Sequence, residues 1–309
     1  MRKFFYCVAI AASVLTSCKD DSFPTADVLS EKAVLEITTN ISATRSQIGK
    51  SVDSFVSGDE IGLFVSNGSG VNTPYSGLNA NKNVRSSFNG TKWTQNPAIY
   101  LSPANATIYA YYPYTSSVTD GTQVPIDHAS QTDFMFGTPV TGINSGNHKA
   151  NLKMNHALSL VQFNLKKSNY PGTGKLTSIK ISNKASGNFL VSDGKLDIAT
   201  GTITNGTGRT ALTKVTNITI GSGWSASQYP QLLVLPTTPT ASAGDIVFTF
   251  TIDGKDYNWN VPAKTAWEQG KKNTYTITLK GTSIGTDPGD WKVTITPWAP
   301  GKDASGEIG

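Results

Sequence analysis

Cysteine is almost missing from this chain of 309 residues: it occurs only as Cys7 and Cys18, both ahead of the first strand-like segment. Everything downstream is thiol-free, so neither a disulfide, a cysteine-ligated metal nor a cysteine nucleophile is available to the folded part. Histidine is nearly as scarce, at His128, His148 and His156. None stands in a His-x-x-x-His or His-Glu-x-x-His pattern, and the spacing of His148 and His156 across a turn is not that of a metal pair. The Gly-x-Ser-x-Gly elbow is absent, and Gly174-Lys175 lacks both the upstream Gly and the following Ser or Thr of a phosphate loop. Charge is thin at 15% of residues, and the net +5 is dispersed apart from short pairs such as Lys166-Lys167 and Lys271-Lys272. Nucleic-acid binding would need a clustered basic stripe. Helical periodicity is missing too. Together these absences argue against an enzyme, a cofactor, a metal centre or a nucleic-acid partner. A carbohydrate-active pair of distant carboxylates is the catalytic option left open. Asp59-Glu60 does not supply it, because neighbours on an extended chain point to opposite faces.

What is present is period-2 alternation. Ala33, Leu35, Ile37 and Ile41 share one face of an extended segment, with Glu36, Thr38 and Asn40 on the other. Ile246, Phe248, Phe250 and Ile252 alternate in the same way, as do Tyr257, Trp259 and Val261, then Tyr275, Ile277 and Leu279, then Trp291, Val293 and Ile295. Between them lie Asn67-Gly68, Asn89-Gly90, Asp120-Gly121, Asp193-Gly194, Asn205-Gly206 and Asp253-Gly254, pairs that accept the positive φ of tight hairpin turns. Many short strands with such turns predict an all-β chain of antiparallel sandwich or barrel type.

One stretch changes phase. Leu152, Met154, His156, Leu158 and Leu160 have one parity, and Val161, Phe163 and Leu165 the other, which predicts a bulge or a short turn inside a long strand. His156, on the apolar face, reads as a structural histidine. The Gly/Asn/Ser-rich run from Gly142 to Asn147 suggests a domain boundary, giving an N-terminal β-sandwich over 33–147 and a C-terminal one over 148–309. The cluster Tyr109-Ala110-Tyr111-Tyr112-Pro113-Tyr114 offers Tyr109, Tyr111 and Tyr114 as candidate ligand contacts, since tyrosine faces stack on sugars. Sandwich core is the competing reading.

The N-terminus carries an address. Arg2 and Lys3 precede an apolar run from Phe4 to Val14, too short to span a bilayer and shaped like a secretory signal. Leu15-Thr16-Ser17-Cys18 resembles the lipobox of bacterial lipoproteins. That resemblance implies a signal peptide over 1–17, a diacylglycerol on Cys18, cleavage before it and an outer-membrane lipid anchor. More than one acyl chain gives stable anchoring where a single chain is marginal. An ordinary signal peptide with an incidental Cys is the alternative. Lys19-Asp20-Asp21 resembles a surface-export signal of Bacteroides-type lipoproteins, and 18–32 reads as a tether.

An ordered set of weak motifs then resembles the fimbrillin family, the pilins of type V pili. It comprises Cys18, the amphipathic strand, Ala43-Thr44-Arg45-Ser46, and Phe55-Val56-Ser57-Gly58-Asp59-Glu60-Ile61-Gly62-Leu63-Phe64. Next come Ala110 to Tyr114, Asp133-Phe134-Met135-Phe136-Gly137, His156-Ala157-Leu158-Ser159 and Tyr275-Thr276-Ile277-Thr278-Leu279. The resemblance implies two tandem transthyretin-like sandwiches and a fimbrial subunit. It also implies cleavage by an Arg-specific protease between Arg45 and Ser46, which releases the first strand (33–41). Arg45 is the only Arg between the signal and Arg85. Losing Leu35, Ile37 and their neighbours removes roughly 1.5–3 kcal/mol of burial for each large side chain. Against a domain stability of about 5–15 kcal/mol, that opens a groove for a replacement strand from a neighbouring subunit. Beyond a Gly/Asp/Pro-rich hinge (281–290), strand 291–296 with Trp291, Val293 and Ile295 is the candidate donor. Its alternative role is to complete its own sheet. Expected partners are other pilus subunits, the protease, the outer membrane and a host or bacterial surface ligand. An uncleaved surface lipoprotein adhesin or pilus anchor is the second reading.

Overall fold

The computed structural model describes residues 32–42, 54–221, 229–281, 283–284 and 291–297. Lys32–Gly309 clusters as one compact unit. Its strands are β1 (Ala33–Val34), β2 (Glu36–Ile41), β3 (Glu60–Ser66), β4 (Val84–Phe88), β5 (Trp93–Asn96), β6 (Tyr100–Leu101), β7 (Ala106–Tyr112), β8 (Val124–Asp127), β9 (Met135–Gly137), β10 (Val140–Ile143) and β11 (Lys149–His156). They continue as β12 (Ser159–Ser168), β13 (Lys175–Asn183), β14 (Asp193–Leu196), β15 (Ile203–Asn205), β16 (Leu212–Thr219), β17 (Gln231–Val234), β18 (Ile246–Ile252), β19 (Lys255–Asn260), β20 (Lys271–Lys280), β21 (Ser283–Ile284) and β22 (Trp291–Pro297). Two short 3-10 turns, Tyr75–Gly77 and Asn79–Asn81, are the only helical pieces among the described residues. The chain is all-β, as the alternation requires.

Strands β2-β11-β9-β7-β3-β4-β5 form one sheet, with β10 also on β7. It wraps a core that includes Leu35, Ile37, Ile61, Leu63, Trp93, Ile108 and Leu152. Farther along, the sheet β17-β12-β20, extended by β21 and β22, faces the sheet β16-β13-β18-β19. Phe163, Phe248, Phe250, Trp267 and Tyr275 fill the space between. A third core joins the two systems, with Phe64, Tyr109 and Tyr111 meeting Leu158, Leu160, Leu196 and Leu233. Strand β8 also pairs with β14, linking first-half and second-half segments. Strands β3 and β7 are therefore covered on both faces, and β7 is buried along its whole length.

The phase change is a change of sheet. Strand β11 ends at His156, Ala157 and Leu158 are fully buried, and β12 begins at Ser159 in the other sheet. The expected boundary at Gly142–Asn147 is corrected by the pairing. That run is a connection within one sheet, because β11 pairs with β2 and β9. The Gly-rich composition marks the turn between β10 and β11, and the passage between sheets is apolar.

Asp253-Gly254 forms the expected two-residue turn between β18 and β19, with φ of 49° and 78°. Asp193-Gly194 does not turn. It opens β14, where the Asp193 side chain accepts the Gly208 N–H at 2.7 Å. Gly62 is needed for another reason: a Cβ there would lie 2.1 Å from Cε1 of Tyr111, its cross-strand partner. Gly62→Ala is expected to lower stability by about 1–3 kcal/mol through overpacking, read as a shift of the urea midpoint. An unchanged midpoint would show that the ring has room to move.

Candidate functional site

The N-terminal segment closes the first sheet at its rim. Its apolar row is inward as expected: Leu35 and Ile37 are 1% and 5% exposed, while Ala33 and Ile41 are half-buried. The segment changes partner midway. Val34 lies opposite Tyr100 on antiparallel β6, and the Leu35 N–H donates to Ile99 O at 2.9 Å. From Glu36 to Ile41 it runs parallel to β11, from Lys149 to Met154. The Glu36 N–H donates to His148 O at 2.9 Å and the Ser42 N–H to Met154 O at 2.7 Å. At the surface the Glu36 carboxylate reaches Lys149 Nζ at 3.2 Å. That hydrogen bond and charge hold its pKa below the usual carboxylate range.

Strands β2 and β5 are the two ends of the eight-stranded sheet. Between them lies an open cleft of about 530 Å³, lined by Val34 to Thr38 on one side and by Thr91 to Gln95 with Ala98 on the other. A side-chain bond crosses from segment to sheet end: Trp93 Nε1–H donates to Thr39 Oγ1 at 3.1 Å. The Trp93 ring is fixed by Phe55 and Phe88, each with its ring centroid 5.0 Å away. Sequence reasoning missed this pair. The signal was a hydroxyl residue, Thr39, at the parity of an otherwise apolar row.

Family-like motif residues support this end of the sheet. Asp59 accepts the Val56 N–H at 2.7 Å and the Tyr112 hydroxyl at 3.3 Å. Glu60 accepts Arg85 Nε–H at 2.7 Å. Behind the segment, His156 Nδ1 and Asp133 Oδ1 are 2.8 Å apart, with side chains 2% and 0% exposed. His128 is also buried, and burial lowers its pKa. The ring donates from Nε2 to Thr210 O at 3.1 Å.

The tyrosine expectation is corrected for two of three residues. Tyr109 and Tyr111 are 9% and 1% exposed, inside the core that joins the two sheet systems. The Tyr111 hydroxyl donates to Asn83 Oδ1 at 2.6 Å, and burial pushes its pKa up to about 12. Neither ring face is open to a ligand. Tyr114 is half-buried, with its N–H on Glu60 O at 2.9 Å. The C-terminal strand β22 lies antiparallel on its own β20, from Ile277 opposite Trp291 to Lys271 opposite Pro297. Val293 packs against the C-terminal core and Ile295 is 58% exposed. Cys18, Arg45 and Ser46 lie outside the described residues.

Fold and rim together define an all-β sandwich protein whose N-terminal strand β2 lies at the edge of its sheet. The sequence pattern of the fimbrillin-like family matches residues 44–298, and the chain belongs to that family. It is 24% identical to a Bacteroides uniformis protein named "Putative fimbrium subunit Fim1C", over 92% of this chain and 93% of that one. Two crystal structures of proteins described as "putative cell adhesion protein" share the fold. One, from Bacteroides uniformis, has a TM-score of 0.62 at 23% identity and covers 87% of this chain and 99% of that one. The other, from Bacteroides ovatus, has a TM-score of 0.65 at 17% identity, with 86% and 98% covered.

Proposed function

We propose that this chain is a subunit of surface fimbriae, exported as a precursor lipidated at Cys18 and cut between Arg45 and Ser46. The observation that carries this reading is the seating of Ala33–Ile41. Its longer part, Glu36–Ile41, is an edge strand paired with β11 alone, its start at Ala33–Val34 pairs with the short β6, and Leu35 and Ile37 hold it by burial. Such a strand can leave without breaking any interior pairing. Its departure exposes apolar surface and unpaired backbone, which a strand from another subunit then covers by β-augmentation. Head-to-tail contacts of this kind do not close on themselves and grow into filaments. The partners are other fimbrium subunits, an Arg-specific protease and, before cutting, the outer membrane. Adhesion to a host or bacterial surface is the activity of the assembled fibre.

A second reading is an uncut surface lipoprotein that serves as adhesin or fimbrial anchor. The pairing of β22 with its own β20 favours it, since that strand is engaged at home. N-terminal sequencing and mass measurement of sheared filaments and of membranes separates the two. A start at Ser46 in filaments, with acylated Cys18 in membranes, is the expected result. A single acylated form starting at Cys18 in every fraction overturns processing and leaves the anchor.

A further inference from the structure

The slot filled by Ala33–Ile41 is not uniformly apolar. Ala33, Leu35, Ile37 and Ile41 face inward, and Thr39, of the same parity, places its hydroxyl 3.1 Å from Trp93 Nε1. An indole N–H only donates, and Trp93 is 7% exposed in its aromatic cluster. A strand in the slot that brings an acceptor to that point keeps this hydrogen bond, and one without an acceptor there loses it. The resident segment runs parallel to β11, with the N–H groups of Glu36 and Ser42 donating to the carbonyls of His148 and Met154.

The chain's own C-terminal strand fits this slot badly. Its apolar parity presents Trp291, Val293, Ile295 and Pro297, none with a side-chain acceptor. Its other parity presents Thr294 and Thr296, but setting either against Trp93 pushes Lys292 into the deep position of Leu35 or Ile37. A buried unpaired ammonium is far worse than the missing hydrogen bond.

We propose that the slot selects an extended strand from a different fimbrillin-like chain, running parallel to β11. That strand carries apolar residues at the Leu35 and Ile37 positions and a hydroxyl or amide oxygen two residues further on. The C-terminal strand of a second copy is a poor donor, so the subunit that donates a C-terminal strand on this side is one of unlike sequence. The inference rests on release of Ala33–Ile41 after cleavage at Arg45.

The test uses the full chain nicked at Arg45 by an Arg-specific protease, with fluorescent peptides competing for the slot. The probes are residues 32–42, the same peptide with Thr39→Val, and residues 289–299. The Thr39→Val peptide is expected to bind about tenfold more weakly than the resident sequence, and the C-terminal peptide at least as weakly. In the Trp93→Phe protein the gap between the resident peptide and its Thr39→Val variant should disappear. Equal binding of those two peptides to the unaltered protein overturns the proposal, and so does tight binding of the C-terminal peptide. If the protease leaves Arg45 uncut, the processing reading fails separately. The key is then read in the uncut chain. There Thr39→Val and Trp93→Phe should be non-additive by a factor of about ten in the unfolding constant, and additivity overturns it.

Discussion

Alanine at Leu35 or Ile37 is expected to destabilise the protein by about 2–5 kcal/mol each, a large share of a total near 5–15 kcal/mol. Both side chains are buried in the first core although their strand is an edge, so apolar burial supplies most of what holds the strand in place. The two positions share one face and one core, so their effects need not add. In the double variant the expected sign is selective. The amides of β2 should lose hydrogen-exchange protection before those of β18 or β20, because the weakened element is a rim and the second core does not touch it. Glu36→Gln is the control: it alters the same strand on its exposed face and should leave the urea midpoint nearly unchanged. If the Leu35/Ile37 variant unfolds at the same urea concentration as Glu36→Gln, the edge strand is not held by its apolar row, and release by cutting at Arg45 loses its physical basis.

The second large effect is expected at Asp133. Its carboxylate and the His156 ring form a buried pair at the point where β11 hands over to β12. The Ala157 N–H donates to Phe134 O at 2.8 Å beside it, so the Asp133 segment is stitched to the sheet crossing. Removing one member of a buried pair costs about 3–5 kcal/mol. Asp133→Ala should therefore lower the unfolding free energy by that amount. Replacing both members by apolar residues of similar volume, Asp133→Leu with His156→Met, should recover most of it, because a buried polar pair is exchanged for apolar packing. Equal losses in the single and double variants would mean that shape, not polar pairing, is what this site supplies.

Much of the fold was legible because alternation in sequence maps directly onto burial in a half-covered strand. Ile246–Ile252 reads buried and half-buried by turns, as its pattern predicts, and in Ala33 to Ile41 the expected row has Leu35 and Ile37 buried and Ala33 and Ile41 half-buried. Strand β7 was harder. Tyr109 and Tyr111 could be read as ligand contacts or as sandwich core. They are buried because a second core covers their face, and its other half comes from Leu158, Leu196 and Leu233. A glycine-rich run likewise marks a turn without saying whether the next strand stays in the sheet, and β11 does stay.

The sequence by itself determined the all-β class, the inward faces, the hairpin at Asp253-Gly254 and the motif order that resembles the fimbrillin family. Tertiary structure alone decided that β2 runs parallel to β11, that Thr39 meets Trp93 at the open end of the sheet, and that β22 lies against β20. The reason is physical. Periodicity records which face of a strand avoids water, and that is a local property of the chain. It does not record what covers the face, in which direction the neighbour runs, or which distant donor meets the one hydroxyl in an apolar row. Those depend on chain segments brought together only when the cores close.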